Sequence, residues 1–275
     1  MVQQHPTQVA PEHASLGAQD GSSMPRLVSI MRRLLAPDGC PWDREQTLET
    51  LRAYVLEEAF EVVDAIDAGG GDPLREELGD LLLQIVFQGE LARARGWFAI
   101  DDVVHAISEK LVRRHPHVFG EEKAGNAQEV LGRWESIKAK EKKGRGRLDG
   151  IPRAMPALLR ALRTGEKAAM AGYDWHDAAG ARAKVSEELV ELDRAVESKD
   201  KARIEEELGD TLFALANVAR KLEVDPESAL RTAVDKFAKR FSHAERAADE
   251  TGRSLSDLDD AARDALWESA KRAVG

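Results

Sequence analysis

A set of five acidic residues occurs twice in this chain at a constant separation, and this repeat restricts the possible folds more than any other feature. The first half contains the segments EEAFE and EELGD, and the second half contains EELVE and EELGD. Each acid of the second half lies 130 positions after its counterpart: Glu57 and Glu187, Glu58 and Glu188, Glu61 and Glu191, Glu77 and Glu207, Asp80 and Asp210. Two copies of one supersecondary unit explain the offset.

Basic and aromatic residues repeat together with the acids. Lys110 and Arg114 follow the first acidic set, and Lys236 and Arg240 follow the second, both offset by 126 positions. The tripeptide Trp-Glu-Ser also occurs twice, at Trp134 and at Trp267. The repeated unit therefore extends well beyond the acidic segments.

The placement of the prolines predicts an all-α chain. No proline occurs between Pro73 and Pro116 or between Pro156 and Pro226, which leaves room for long helices. Apolar residues in these spans recur at helical spacing, and no run of alternating strand pattern stands out.

The spacing of the acids places them on common helix faces. Residues three and four apart are neighbours on a helix, so Glu58 and Glu61 share a face, as do Glu77 and Asp80 on the next helix. If the two helices are adjacent and antiparallel, four carboxylates converge and repel one another. A hard divalent cation would offset this charge, because all the donors are oxygen atoms.

A glycine inside each second acidic segment, Gly79 or Gly209, bears on how the helices pack. Glycine in a helix interior costs about 1 kcal/mol relative to alanine. Its recurrence at the same place predicts a close approach of two helices beside the acids.

The acids have two other interpretations. Glutamates usually line solvated helix faces, but a doubled pattern followed each time by apolar residues disfavours that interpretation. A di-iron centre uses Glu-x-x-His on two helices. No histidine follows these acids at that spacing, and the nearest on a comparable helix is His105. A di-iron centre is therefore a minor alternative.

The composition excludes several classes of function. The net charge of −10 argues against binding of nucleic acid polymers. Cys40 is the only cysteine, so neither a disulfide framework nor a cysteine-based zinc site is available. No Gly-Lys dipeptide and no G-x-G-x-x-G occurs, so the usual phosphate-binding loops are missing. No apolar stretch reaches membrane-spanning length, and no secretory pattern begins the chain, which predicts a cytoplasmic protein without membrane association.

The doubled acidic pattern resembles the all-α nucleotide pyrophosphohydrolases, and in particular full-length MazG proteins. Three further segments resemble MazG: GCPWDREQT (39–47), RRHPHVFG (113–120) and LDGIPRAMPAL (148–158). The likeness runs from about Met24 to the C-terminus. It implies a homodimer of helical bundles, dependence on Mg²⁺ with Mn²⁺ as a possible substitute, and cleavage of nucleoside triphosphates between the α- and β-phosphates with broad base tolerance.

The resemblance also implies roles for individual residues. The metal ligands of the second copy are Glu188, Glu191, Glu207 and Asp210, and Glu58, Glu61, Glu77 and Asp80 match them in the first copy. Four residues match substrate-binding positions of the family. Arg203, Lys236 and Arg240 match positions that bind phosphate, and Trp267 matches an aromatic position near the nucleotide. Glu187 and Glu57 are expected to contact the metal ligands without binding the metal themselves, or to transfer protons.

Domain boundaries follow from the same observations. Residues 1–23 are polar and are predicted to be a disordered tail. The segment KKGRGRLDGIP, residues 142–152, is basic and glycine-rich and is predicted to link a first MazG-like domain (24–141) to a second (153–275).

Three functions remain open at this level. The leading one is a Mg²⁺-dependent nucleoside triphosphate pyrophosphohydrolase that maintains nucleotide pools. The second is a narrower phosphohydrolase acting on dUTP, dCTP or a phosphoribosyl-ATP-like metabolite. The third is a non-enzymatic helical adaptor, which does not explain why acids and basic pairs recur together.

Overall fold

The computed structural model of the chain describes residues 23–121 and 146–275 and, between them, positions 123, 125–126, 129–130, 132–134, 137, 141 and 144. The chain divides into two compact units between residues 141 and 142. Helices but no strands occur among the described residues, so the all-α prediction is confirmed. Apart from Ser23, the predicted tail lies outside these residues, as does part of the predicted linker.

The first unit is built around a helical hairpin. Its helices include α1 (Met24–Leu34), α2 (Pro41–Glu45), α3 (Leu51–Asp67), α4 (Asp72–Ala94), α5 (Ile100–Arg114) and α6 (Pro116–Phe119). The helices α3 and α4 pack against each other, and α1 and α5 pack on α4. Large apolar side chains fill the core between them, including Met31, Leu51, Val86, Phe87 and Ile100.

The second unit repeats the hairpin with different surroundings. It contains α7 (Ala157–Met170), α8 (Ala178–Ser198), α9 (Lys201–Lys221), α10 (Pro226–Asp249), a 3-10 helix (Leu255–Asp257) and α11 (Asp260–Val274). The helices α8 and α9 form the hairpin, α7 packs on α9, and α10 pairs with α11.

Local sequence signals explain where these helices begin and end. Pro73 and Pro226 lie in the first turns of α4 and α10, where a missing N–H costs nothing. The α3–α4 loop consists of residues 68–71, and its three glycines, Gly69, Gly70 and Gly71, all have a positive φ. In the α8–α9 loop, Lys199 adopts the left-handed conformation, and the Asp200 side chain caps α9 by accepting from Ala202 N and Arg203 N.

The core of the second unit consists mostly of small residues. Its buried apolar residues are Leu162, Leu258 and the alanines 181, 195, 214, 216, 244, 248 and 270. By contrast, large apolar side chains on α9 and α10 are between 40% and 56% exposed: Leu208, Leu212, Phe213, Leu215, Leu230, Val234, Phe237 and Phe241. A single chain therefore leaves much of the apolar surface of this unit in contact with water.

The glycine prediction is wrong within the chain. A Cβ atom added at Gly79 or Gly209 would meet no described atom within 4 Å, because both residues lie on exposed faces of their helices. The close approach occurs at Gly165 of α7 instead. A Cβ atom there would lie 2.3 Å from Asn217 Oδ1 and 2.9 Å from Arg220 Nε.

No helix in the part of the chain that the structure describes is long and apolar enough to cross a membrane.

We expect Gly165→Ala to destabilise the protein by about 1–3 kcal/mol, because the new methyl group overlaps the buried Asn217 amide. Asn217 is held in place, since its Nδ2 donates to Phe213 O at 3.1 Å and its Oδ1 accepts from Arg220 Nε at 3.2 Å. Urea unfolding followed by circular dichroism measures the effect.

A double-mutant cycle identifies the cause. In an Asn217→Ala background the obstructing oxygen is gone, so Gly165→Ala should cost less than half as much as in the wild type. An equal cost in both backgrounds would contradict the proposed clash.

Candidate metal and nucleotide site

Each helical hairpin holds its acids on the facing sides of two helices. The helices α3 and α8 carry the first acidic segment of their unit, and α4 and α9 carry the second. The short loops 68–71 and 199–200 force each pair to run antiparallel. Residues far apart along the helices therefore come to lie opposite each other.

The structure brings three carboxylates together in each unit. Carboxylate oxygens of Glu58, Glu77 and Asp80 all lie within 4.8 Å of one another in the first unit. Those of Glu188, Glu207 and Asp210 do the same in the second unit. We call these groups the first and the second acidic cluster. Their separations are short enough for one cation to contact all three side chains of a cluster.

The fourth predicted ligand of each copy lies outside the cluster but close to it. Desolvation raises the pKa of Glu207, and the charges of Glu191 and Glu188 raise it further. In the first unit, desolvation and then the charges of Glu61 and Asp80 raise the pKa of Glu77. Glu61 and Glu191 are therefore within electrostatic reach of their clusters.

Burial and the charges of neighbouring carboxylates raise the pKa of at least one glutamate in each cluster. Desolvation, followed by the charges of Asp80 and Glu61, also raises the pKa of Glu58, and a hydrogen bond with the Gln84 amide only partly opposes this. Carboxylates that repel one another in a partly desolvated place are a fitting set of ligands for a hard divalent cation.

The second cluster is in contact with a lysine, Lys184, which the sequence patterns did not single out. Lys184 lies one turn before Glu188 on α8, and its Nζ is 2.6 Å from Glu188 Oε1 and 2.7 Å from Glu187 Oε1. These pairs raise the pKa of Lys184 above its usual range. The spacing of four residues between Lys184 and Glu188 was a signal that could have revealed the contact.

The residues predicted to bind substrate lie at two places. Arg203, in the first turn of α9, is near enough to lower the pKa of Glu207. Lys236 is exposed on α10, a helix that touches α9 only slightly. Arg240, also on α10, donates from Nη2 to Gly275 O at 2.7 Å, and Trp267 packs on Phe237 with 5.1 Å between ring centroids. Among the described contacts, none joins Lys236, Arg240 or Trp267 to the second cluster.

The corresponding basic residue of the first unit has an acidic partner. Arg114 Nη2 lies 2.5 Å from Glu141 Oε2, and Arg113 Nε donates to Glu141 Oε1 at 2.9 Å. The two arginines lower the pKa of Glu141 to about 2. The guanidinium of Arg114 also lies 5.3 Å from the centre of the Trp134 ring.

Comparison with known proteins places these features in a family. The family model described as the MazG nucleotide pyrophosphohydrolase domain matches residues 46–119 and again residues 179–245. These matches contain the two hairpins with their acidic clusters, and they confirm the tandem arrangement.

Similar proteins match most of the chain. The MazG nucleoside triphosphate pyrophosphohydrolase/pyrophosphatase of Thermotoga maritima is 47% identical over 89% of this chain and 94% of its own length. The nucleoside triphosphate pyrophosphohydrolase of Escherichia coli K12 is 44% identical over 90% of this chain and 96% of its own length. The protein of that name in Mycobacterium tuberculosis is 34% identical over 84% of this chain and 60% of its own. With its doubled domain and this extent of identity, the chain belongs to the MazG family of nucleotide pyrophosphohydrolases.

Proposed function

We propose that this chain hydrolyses ribo- and deoxyribonucleoside triphosphates to the monophosphate and pyrophosphate, in a Mg²⁺-dependent reaction that maintains nucleotide pools. The observation that carries the proposal is the convergence of three carboxylates within 4.8 Å in each hairpin of a chain that belongs to this family. The similar proteins of Thermotoga maritima and Escherichia coli carry this activity in their names.

The charge of the substrate supports a metal-dependent reaction. A triphosphate brings roughly four negative charges to a site that already holds several carboxylates, and the two would repel. Glu188, Glu191, Glu207 and Asp210 would hold Mg²⁺ in the second copy. When bound, this ion offsets the negative charge and polarises the phosphate oxygens.

The side chains around the cluster have separate tasks in this proposal. Arg203, Lys236 and Arg240 bind phosphate oxygens through charge-assisted hydrogen bonds. Trp267 contacts the nucleoside. Glu187, exposed and beside the cluster, accepts a proton from the attacking water. The oxygen of that water bonds to phosphorus as the bond between the α- and β-phosphates breaks, which gives the monophosphate and pyrophosphate.

The second copy is our choice for the hydrolytic site. Its segment before the second acidic motif contains Lys199, Lys201 and Arg203, whereas the first copy has three glycines and Arg75. Arg75 is already paired with Asp72 at 3.0 Å. In the basic pair that follows, Arg114 is paired with Glu141. Arg240 donates from Nη2 to the main-chain oxygen of the last residue, Gly275, and its buried Nε has no hydrogen-bond partner in the described structure. More positive charge is therefore free for phosphate in the second copy.

We also propose that two chains associate into a homodimer. The second unit buries mainly alanines and leaves its large apolar side chains on α9 and α10 about half exposed. On α5 of the first unit, Val104, Ile107 and Leu111 are exposed as well. Helix faces of this kind are normally covered by other helices, and a second copy of the same chain offers matching faces.

We expect activity to require a hard divalent ion. Protein stripped with EDTA should release no pyrophosphate from a panel of ribo- and deoxynucleotides, and Mg²⁺ or Mn²⁺ should restore release. The same panel separates a broad enzyme from one restricted to dUTP, dCTP or a phosphoribosyl-ATP-like metabolite. Full turnover in metal-free buffer would refute the metal dependence, and inactivity on every nucleotide would favour the adaptor.

We expect Glu207→Gln to reduce pyrophosphate release at least 100-fold and the matched variant Glu77→Gln to reduce it less than threefold. Both substitutions remove one negative charge from equivalent positions and conserve the shape of the side chain. Circular dichroism and light scattering check that each variant is folded and associated. The opposite pattern would assign hydrolysis to the first copy.

We expect light scattering to give at least the mass of two chains at micromolar concentration. Val234→Asp should shift the protein towards monomer, because it puts a charge on the exposed apolar face of α10. Thr232→Asp introduces the same charge two residues away, on the opposite side of the helix, and should leave the mass unchanged. A wild-type chain that stays monomeric would contradict the proposal.

A further inference from the structure

The two acidic clusters differ in the residue one turn before their first glutamate, which is Glu58 in the first cluster and Glu188 in the second. In the second unit this residue is Lys184, whose ammonium lies 2.6 Å from Glu188 Oε1 and 2.7 Å from Glu187 Oε1. The Glu188 side chain is only 7% exposed and the Lys184 side chain is 36% exposed, so water screens only the lysine side of the pair. The second cluster therefore carries a positive charge supplied by the chain itself.

The first unit has Tyr54 at the equivalent position, 130 residues earlier. Tyr54 packs against the apolar core, and its ring meets that of Trp42 edge to face at 6.0 Å. The described neighbours that affect Glu58 are Asp80, Glu61 and the neutral amide of Gln84. None of these brings a positive charge to the first cluster.

A divalent cation and the Lys184 ammonium compete for the same carboxylate. Both draw on the Glu188 oxygens, and two positive charges a few ångströms apart repel each other. Binding of the cation at the second cluster therefore requires that the ammonium be displaced or that the two charges be held together at a cost. No such exchange is needed at the first cluster.

We infer that Lys184 is a tethered counter-ion of the second acidic cluster, and that it makes this cluster bind divalent cations more weakly than the first. The inference rests on the proposed function, in which both clusters hold a divalent ion. The two copies would therefore bind metal differently. The first cluster binds a divalent cation at low metal concentration, whereas at the second cluster the cation must displace the Lys184 ammonium.

Titration of the metal-free full chain with Mn²⁺, followed by electron paramagnetic resonance, tests the inference without substrate. The wild type should show two classes of Mn²⁺ site. Glu207→Gln should remove the weaker class, and Glu77→Gln should remove the tighter class. In the Glu77→Gln background, Lys184→Met should tighten the remaining site roughly two- to fivefold, the range expected for removal of a competing ion pair. Lys184→Arg, which keeps the charge, should not tighten it.

Lys271→Met is the matched control, because Lys271 is paired with Glu268 on α11 and lies outside the described contacts of the cluster. Equal affinities for Lys184→Met and Lys271→Met would overturn the inference while leaving the proposed function intact. Tightening by Lys184→Arg as well would also overturn it, since the charge would then not be the cause. Absence of any Mn²⁺ bound at the second cluster would instead refute the proposed metal site, and the inference with it.

Discussion

Mutual repulsion among carboxylates held between two helices is the interaction around which both units are organised. The hairpins bring Glu188, Glu207 and Asp210 together, and Glu58, Glu77 and Asp80 likewise, at separations that water alone does not screen fully. The pKa of Glu207 is raised as a result of desolvation and of neighbouring charge. The fold stabilises this arrangement through packing elsewhere on the same helices, and the divalent cation that we propose would relieve the repulsion.

The packing that holds the clusters differs between the units. Large side chains such as Met31, Leu51 and Phe87 fill the core behind the first hairpin. Behind the second hairpin the contacts are small or polar, as where Gly165 lets α7 approach the buried Asn217. Since the second hairpin buries so little apolar surface within one chain, its rigidity depends more on what covers its exposed face. Association of two chains would therefore support the geometry of the site that we assign to hydrolysis.

The two copies have kept the same acids and changed the positive charges around them. The first copy pairs Arg114 with Glu141, and in our proposal this pair leaves less positive charge for phosphate in that copy. The second copy adds Lys184 beside Glu188. Identical carboxylates can thus serve different purposes, because the charge that surrounds a metal site influences both its affinity for the ion and its ability to accept a polyanion.

Sequence alone determined the features that depend on helical periodicity, which is local: the all-α class, the doubled unit and the common face of Glu207 and Asp210. It failed at Gly209, where the predicted close helix approach is absent, because the neighbours that surround a helix face are set by distant elements. Only the tertiary structure decided which charges meet when they lie far apart in the sequence. Glu141 reaches Arg114 across 27 positions, and such a contact follows from the path of the chain rather than from residue spacing.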